Sequence, residues 1–82
     1  MKIDALSNGF ILINNFKIVD LRSVCAIEPQ IDEISGKNYY PVIFSFQSSP
    51  NTLRYICTSE DEQNTLMRLL WELLQKLDKG SL

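Results

Sequence analysis

SEDEQNTLMRLLWELLQKL, Ser59 to Leu77, decides the fold. Ser59 is followed three residues later by Glu62, a capping-box spacing, and Glu60, Asp61 and Glu62 put negative charge on the positive end of a helix dipole. From Leu66 onward leucines recur at helical spacing, and Lys76, Lys79 and Gly80 carry the cationic and glycine signals of a helix end. One amphipathic helix over about 59–78 is predicted.

Upstream of this helix the pattern changes to that of strands. FILINNFKIV, Phe10 to Val19, is two short apolar runs broken by Asn14 and Asn15, which tolerate the left-handed backbone of a tight hairpin turn. Val24 to Glu28 has the β-branched, apolar content of a third strand. Gln30 to Tyr40 contains two acids and a Ser35-Gly36-Lys37 tip without sustained periodicity, and reads as a long hairpin connection. The next stretch alternates, with Val42, Phe44 and Phe46 on one face and Ile43, Ser45 and Gln47 on the other. After a turn at Ser48 to Asn51, Leu53, Tyr55 and Cys57 share one face and Arg54, Ile56 and Thr58 the other. The expected architecture is α+β: one domain, an antiparallel meander of about five strands within 10–58, closed by the C-terminal helix.

On that helix, Leu66, Leu70, Leu73 and Leu77 form one line, flanked by Leu69 on one side and by Met67, Trp71 and Leu74 on the other. The apolar arc spans roughly 200°, where a helix facing only its own core needs about 100° or somewhat more. Arg68 with Glu72, and Glu72 with Lys76, have the spacing of exposed ion pairs on the polar side. Two readings account for the surplus. A strongly twisted sheet could wrap the helix, or Met67, Trp71 and Leu74 could face a second copy or another protein. The second is the expectation, because Ile43 and Ile56 point away from the helix and leave the other sheet face apolar too. A homodimer would supply a cover and relieve the shortage of core in a chain of 82 residues.

Composition narrows the functional classes. Apolar residues at 45% and charged residues at 22% are ordinary for globular chains, and the net charge is −2 with Lys and Arg scattered singly. Nucleic-acid binding, which lives on clustered cations, is not expected. The longest apolar runs are a few residues, so no membrane span is expected. The first nine residues lack an export-signal pattern, which makes the cytoplasm the expected compartment. Histidine is absent, so the usual base for a nucleophile and the usual companion of cysteine in a metal site are both missing. Cys25 and Cys57 are expected to be free buried thiols. Asp32 with Glu33 reads as a solvated loop rather than an acid and base pair, and no catalytic residue, metal or cofactor is expected. Tyr39 and Tyr40, adjacent aromatics beside the long connection, are candidate contact residues.

KIVDLRSVCAIEP (Lys17–Pro29) and VIFSFQSSPNTLRYICTSEDEQNTLMRLLWELL (Val42–Leu74) resemble small bacterial and phage single-domain proteins of the flagellar FlbD-like and pleckstrin-homology-like pattern, a strand meander followed by a Ser-x-x-Glu-capped leucine-rich helix. No functional residue is carried over. The resemblance implies an accessory or adaptor protein that acts by binding, and the expectation is a non-enzymatic module binding itself and a further protein. The alternative is a small-molecule or nucleotide binder with a site at the helix–sheet or dimer seam, lined by Trp71, Tyr55 and Tyr40 with Arg54 as polar anchor.

Overall fold

Asn14 and Asn15 adopt φ of 51° and 61°, the left-handed pair that the sequence requires there, and the Phe16 N–H bonded to the Ile13 carbonyl closes the turn. In the computed structural model, which describes residues 2–78, this turn joins β2 (Phe10–Ile13) to β3 (Lys17–Asp20). A further strand, β1 (Ile3–Ala5), pairs with the other side of β2, giving a three-stranded antiparallel sheet in the order β1-β2-β3. The expected strands began at Phe10. IDA is too short to show alternation, and its strand state comes from pairing with β2.

A short 3-10 turn, Leu21–Ser23, leads out of this sheet, held by Asp20, whose carboxylate accepts from the Arg22 backbone N–H and the Ser23 hydroxyl. The second sheet is built on β6 (Lys37–Phe46), a ten-residue strand with β7 (Thr52–Cys57) on one side. On its other side lie β4 (Val24–Pro29) and β5 (Asp32–Ile34). These two are one strand in register: paired residue numbers sum to 71 from Ala26↔Ser45 through Ile34↔Lys37. Gln30 to Tyr40 is therefore not a loop. It is the far half of a long hairpin turning at Ser35 and Gly36, with φ of 54° and 77°. Seven strand segments in two sheets replace the expected five in one meander, within the α+β class anticipated.

The break between β4 and β5 has a single chemical cause. Gln30 stands opposite Pro41 and donates its N–H to the Pro41 carbonyl at 3.0 Å. The reciprocal bond cannot form, because proline has no N–H. Gln63, in the first part of helix α1 (Glu60–Asp78), supplies the missing donor: its side-chain Nε2 donates to the Gln30 carbonyl at 2.8 Å and to the Pro41 carbonyl at 2.9 Å. Gln63 is 4% exposed, and both of its amide hydrogens are used.

The helix begins as read. Ser59 Oγ accepts from the Glu62 N–H at 3.1 Å, and Glu62 Oε1 reaches back to the Thr58 N–H, one residue before the Ser59 N–H that a standard capping box would use. Its stop at Lys79 and Gly80 lies outside the described residues, as does the side chain of Leu77. Leu66 and Leu70 are fully buried and meet Val42 and Phe44 of the larger sheet in one core. Ile11, Ile13 and Val19 bring the small sheet into the same core, so both sheets and the helix share one interior. Met67, Leu73 and Leu74 pack half-buried against it. Asn14 ties the sheets at their rim: its side chain accepts from the Lys2 N–H and donates to the Tyr55 hydroxyl.

Replacing Gln63 with Leu is expected to strand the Gln30 carbonyl without a donor and to cost ~1–3 kcal/mol of unfolding free energy. Adding Pro41→Val, which restores a backbone N–H opposite Gln30, should recover most of that loss in a denaturant-monitored double-mutant cycle. A double variant no more stable than Gln63→Leu alone would show that the amide is not the proline's substitute.

Candidate interaction surfaces

FILI has no polar residue, and KIVD has them only at its two ends, Lys17 and Asp20. With Ile11, Ile13 and Val19 turned inward, the register puts Leu12 beside Ile18, and Phe10 beside Asp20, on the outer face of the three-stranded sheet. Leu6 continues the row of Phe10 through its N–H bond to the Phe10 carbonyl, and Asp4 stands opposite Leu12. Ile18 is 62% exposed, Phe10 40% and Leu6 39%, while Leu12 is half-buried. The two carboxylates on this face have local partners, Asp4 with Lys2 at 3.7 Å and Asp20 with the turn it caps. What remains facing outward is an apolar surface. None of its residues was among the candidates read from the sequence. The signal was present, because strands with no polar alternation are apolar on both faces.

The larger sheet also has an uncovered face, opposite the helix. Ile43 is half-buried and Ile56 53% exposed there, with Tyr39 and Ile34 further along the hairpin. Across this face Arg54 forms an ion pair with Asp32. Arg54 stands opposite Ile43 and Asp32 opposite Tyr39, so the pair crosses above Pro41, the central-strand residue between them, which is under 2% exposed. Lys37 Nζ sits 5.5 Å from the centre of the Tyr39 ring. Tyr40 takes the other face and packs on the core, so the two adjacent tyrosines separate into one surface ring and one core ring.

The helix residues expected at an interface divide in the same way. Met67 and Leu74 are half-buried against the core, whereas Trp71 is 61% exposed. Trp71 on the helix and the pair Ile43 and Ile56 on the far sheet face thus form separate surfaces rather than one. The expected helix-face ion pairs, Arg68 with Glu72 and Glu72 with Lys76, are not formed among the described residues.

The residues of the small-ligand alternative do not converge either. Arg54 is on the outer face with Asp32, while Tyr55, its neighbour in sequence, is buried in the core and bonded to Asn14. The surface depressions hold about 260–320 Å³ and are open to solvent, the one beside the hairpin being lined by Lys37, Tyr39 and Ile56. Among the described residues, none of these three depressions combines Trp71 with Tyr40, Arg54 and Tyr55.

The cysteines are both free, but they are not alike. Val24 pairs with Phe46 and Ala26 with Ser45, leaving Cys25 as the extra residue of a β-bulge, exposed rather than buried as the sequence suggested. Cys57 is 3% exposed, and burial, assisted by the negative charge of Glu62, pushes its thiol up to about 11. Tyr55 is raised above its ordinary value, first by burial and despite the Asn14 hydrogen bond. Comparison with known proteins finds no matching family model, no matching curated protein and no matching solved structure.

Both shifted groups favour their neutral forms in the fold, so the stability they contribute is complete below their unfolded pKa values and is lost as pH rises through the folded ones. Melting temperature should accordingly fall as pH is raised from 9 to 11, the window set by Cys57, and Cys57→Ala should flatten that fall. At neutral pH a thiol reagent should label Cys25 quickly and Cys57 only on unfolding; equal rates in the folded protein would contradict the burial of Cys57.

Proposed function

We propose that this chain is a non-enzymatic protein-interaction module of the cytoplasm, self-associating, that acts as an adaptor or inhibitor of a partner protein docked on the outer face of its three-stranded sheet. The observation that carries the reading is the patch of Phe10, Leu12 and Ile18 beside Leu6, apolar side chains turned outward by the sheet with no element over them among the described residues. Such a face fits an amphipathic helix laid across it, because the sheet offers a fixed apolar floor and the partner supplies the polar rim. Trp71 offers a second contact on the helix. Two free thiols accord with a reducing compartment. The resemblance to small accessory proteins points in the same direction, and in a phage or mobile-element setting such a module would redirect or inhibit a host factor.

Ile18→Asp tests the docking face. Ile18 is largely exposed, so the variant should stay within ~1 kcal/mol of the wild type in unfolding free energy. Immobilised wild-type chain should retain a cellular protein that the Ile18→Asp chain releases and a Cys25→Ser chain keeps. Identical recovery by the wild type and Ile18→Asp, or no specific recovery by either, would remove the face from the mechanism.

A further inference from the structure

The outer face of the larger sheet carries a charge pattern that is complementary to itself. Glu28, Ile43 and Arg54 form one cross-strand row, acid on one edge, isoleucine on the central strand, cation on the other edge. Consider two copies of this face stacked on each other. A two-fold axis lying between them and parallel to β6 keeps each row opposite itself and exchanges its edges, so Glu28 of each copy faces Arg54 of the other and Ile43 meets Ile43. An axis across the strands does the reverse. Centred on this row it opposes Glu28 to Glu28 and Arg54 to Arg54, and centred on Pro41 it opposes Glu28 to Asp32. Like charges brought together at an interface are costly, so these rows favour the first arrangement, whose one like pair is Lys37 on Lys37 at the exposed tip of the hairpin.

Other features of the face suit that arrangement. The neighbouring row is Ala26, Ser45 and Thr52, whose small side chains let the two sheets approach to the ~10 Å of packed sheets. Arg54 is already paired with Asp32, but a guanidinium has five donors and accommodates a second carboxylate. Three strands lie side by side over the six residues Tyr40–Ser45 of β6, roughly 14 by 20 Å, and β6 alone continues the overlap to Lys37, so a stacked pair buries about 650 Å² in total. That is below the ~1,000 Å² of a stable specific interface, so the pairing is a weak, concentration-dependent one whose register is set by charge.

We propose that the chain forms a homodimer by stacking the outer faces of its larger sheets about a two-fold axis parallel to β6, with Glu28 of each copy paired to Arg54 of the other. This deepens the self-association part of the function proposed above, and it uses a different face from the one offered to a partner protein.

The test is solution mass by light scattering across a concentration series, with circular dichroism on every sample. The wild type should approach twice the 9.4 kDa chain mass. Glu28→Arg and Arg54→Glu should each shift to the single-chain mass, because each brings like charges together twice across the axis. An equimolar mixture of the two variants should return to the double mass, since each mutant edge then meets its opposite, a restoration that no contact within one chain can produce. Should Arg54→Glu fail to fold, Ile43→Arg takes its place, setting two cations face to face on the axis. A wild type that stays at the single-chain mass overturns the dimer, as does a mixture that does not reassociate or a double mass that survives Ile43→Arg. Partner recovery that remains sensitive to Ile18→Asp in any of those cases leaves the docking reading standing, so the two fail separately.

Discussion

A proline at the centre of a sheet sets the terms for the rest of this molecule. Pro41 lies on β6, which is paired on both sides, a position where proline is ordinarily excluded because a ladder bond is lost. The bond lost here is the one the Gln30 carbonyl would have accepted, and the Gln63 amide replaces it. That replacement does more than satisfy an oxygen. It pins the helix by a side chain of fixed reach, four residues beyond the Ser59 cap, so the rotation of the whole helix about its axis is set at that point. With Gln63 against the sheet, Leu66, Leu70, Met67 and Leu74 follow within about 60° of it, while Trp71, eight residues on, lies about 80° away at the margin of the buried stripe. The width of the apolar arc is thus mostly absorbed by the core, and Trp71 alone of the expected interface leucine-side residues is left well exposed.

A single helix can cover only one face of one sheet. Here it covers the inner face of the larger sheet, and the small sheet closes the same core from another direction. Among the described residues the outer faces have nothing over them, and each meets that condition differently. On the larger sheet the Arg54–Asp32 pair crosses the middle of the face and shields Pro41, leaving isoleucines on either side of a charged strap. On the small sheet the carboxylates turn to local partners and the apolar side chains stand uncovered. The first surface is patterned by charge and the second by apolar side chains.

The parts of the fold that were legible in the sequence are those decided locally. The Ser59–Glu62 cap, the Asn14-Asn15 turn and the alternation of Val42 to Phe46 and Leu53 to Cys57 each depend on a few neighbouring residues, and each is present as read. The missed strands are decided at a distance. β1 is a strand because β2 pairs with it, and β5 because it inherits the register of β4 across the Gln30–Pro41 site. Cys25 is exposed because a bulge turns it out of a strand whose alternation with Ile27 would have turned it inward, and Val24 packs on the core in its place. Gln63 was open to reading: it falls three residues before Leu66 and seven before Leu70, a polar side chain inside the apolar stripe, which is the mark of a buried group with a specific partner. The partner itself, a carbonyl orphaned by a proline on another strand, could be known only once the hairpin register was known.

Those two uncovered faces also bear on how binding would be strengthened. A dimer made through the larger sheet consumes the charge-patterned face and leaves the small-sheet face of each copy open, so the assembly would present two identical docking surfaces. A partner that is itself repeated or dimeric then meets the second surface at a high effective concentration once the first is engaged, and the gain can reach 10²–10⁴-fold without any new contact. The three-stranded sheet is a small floor, and a dimer would offer a partner two of them. Self-association through one face would therefore strengthen whatever binding the other provides, by geometry alone.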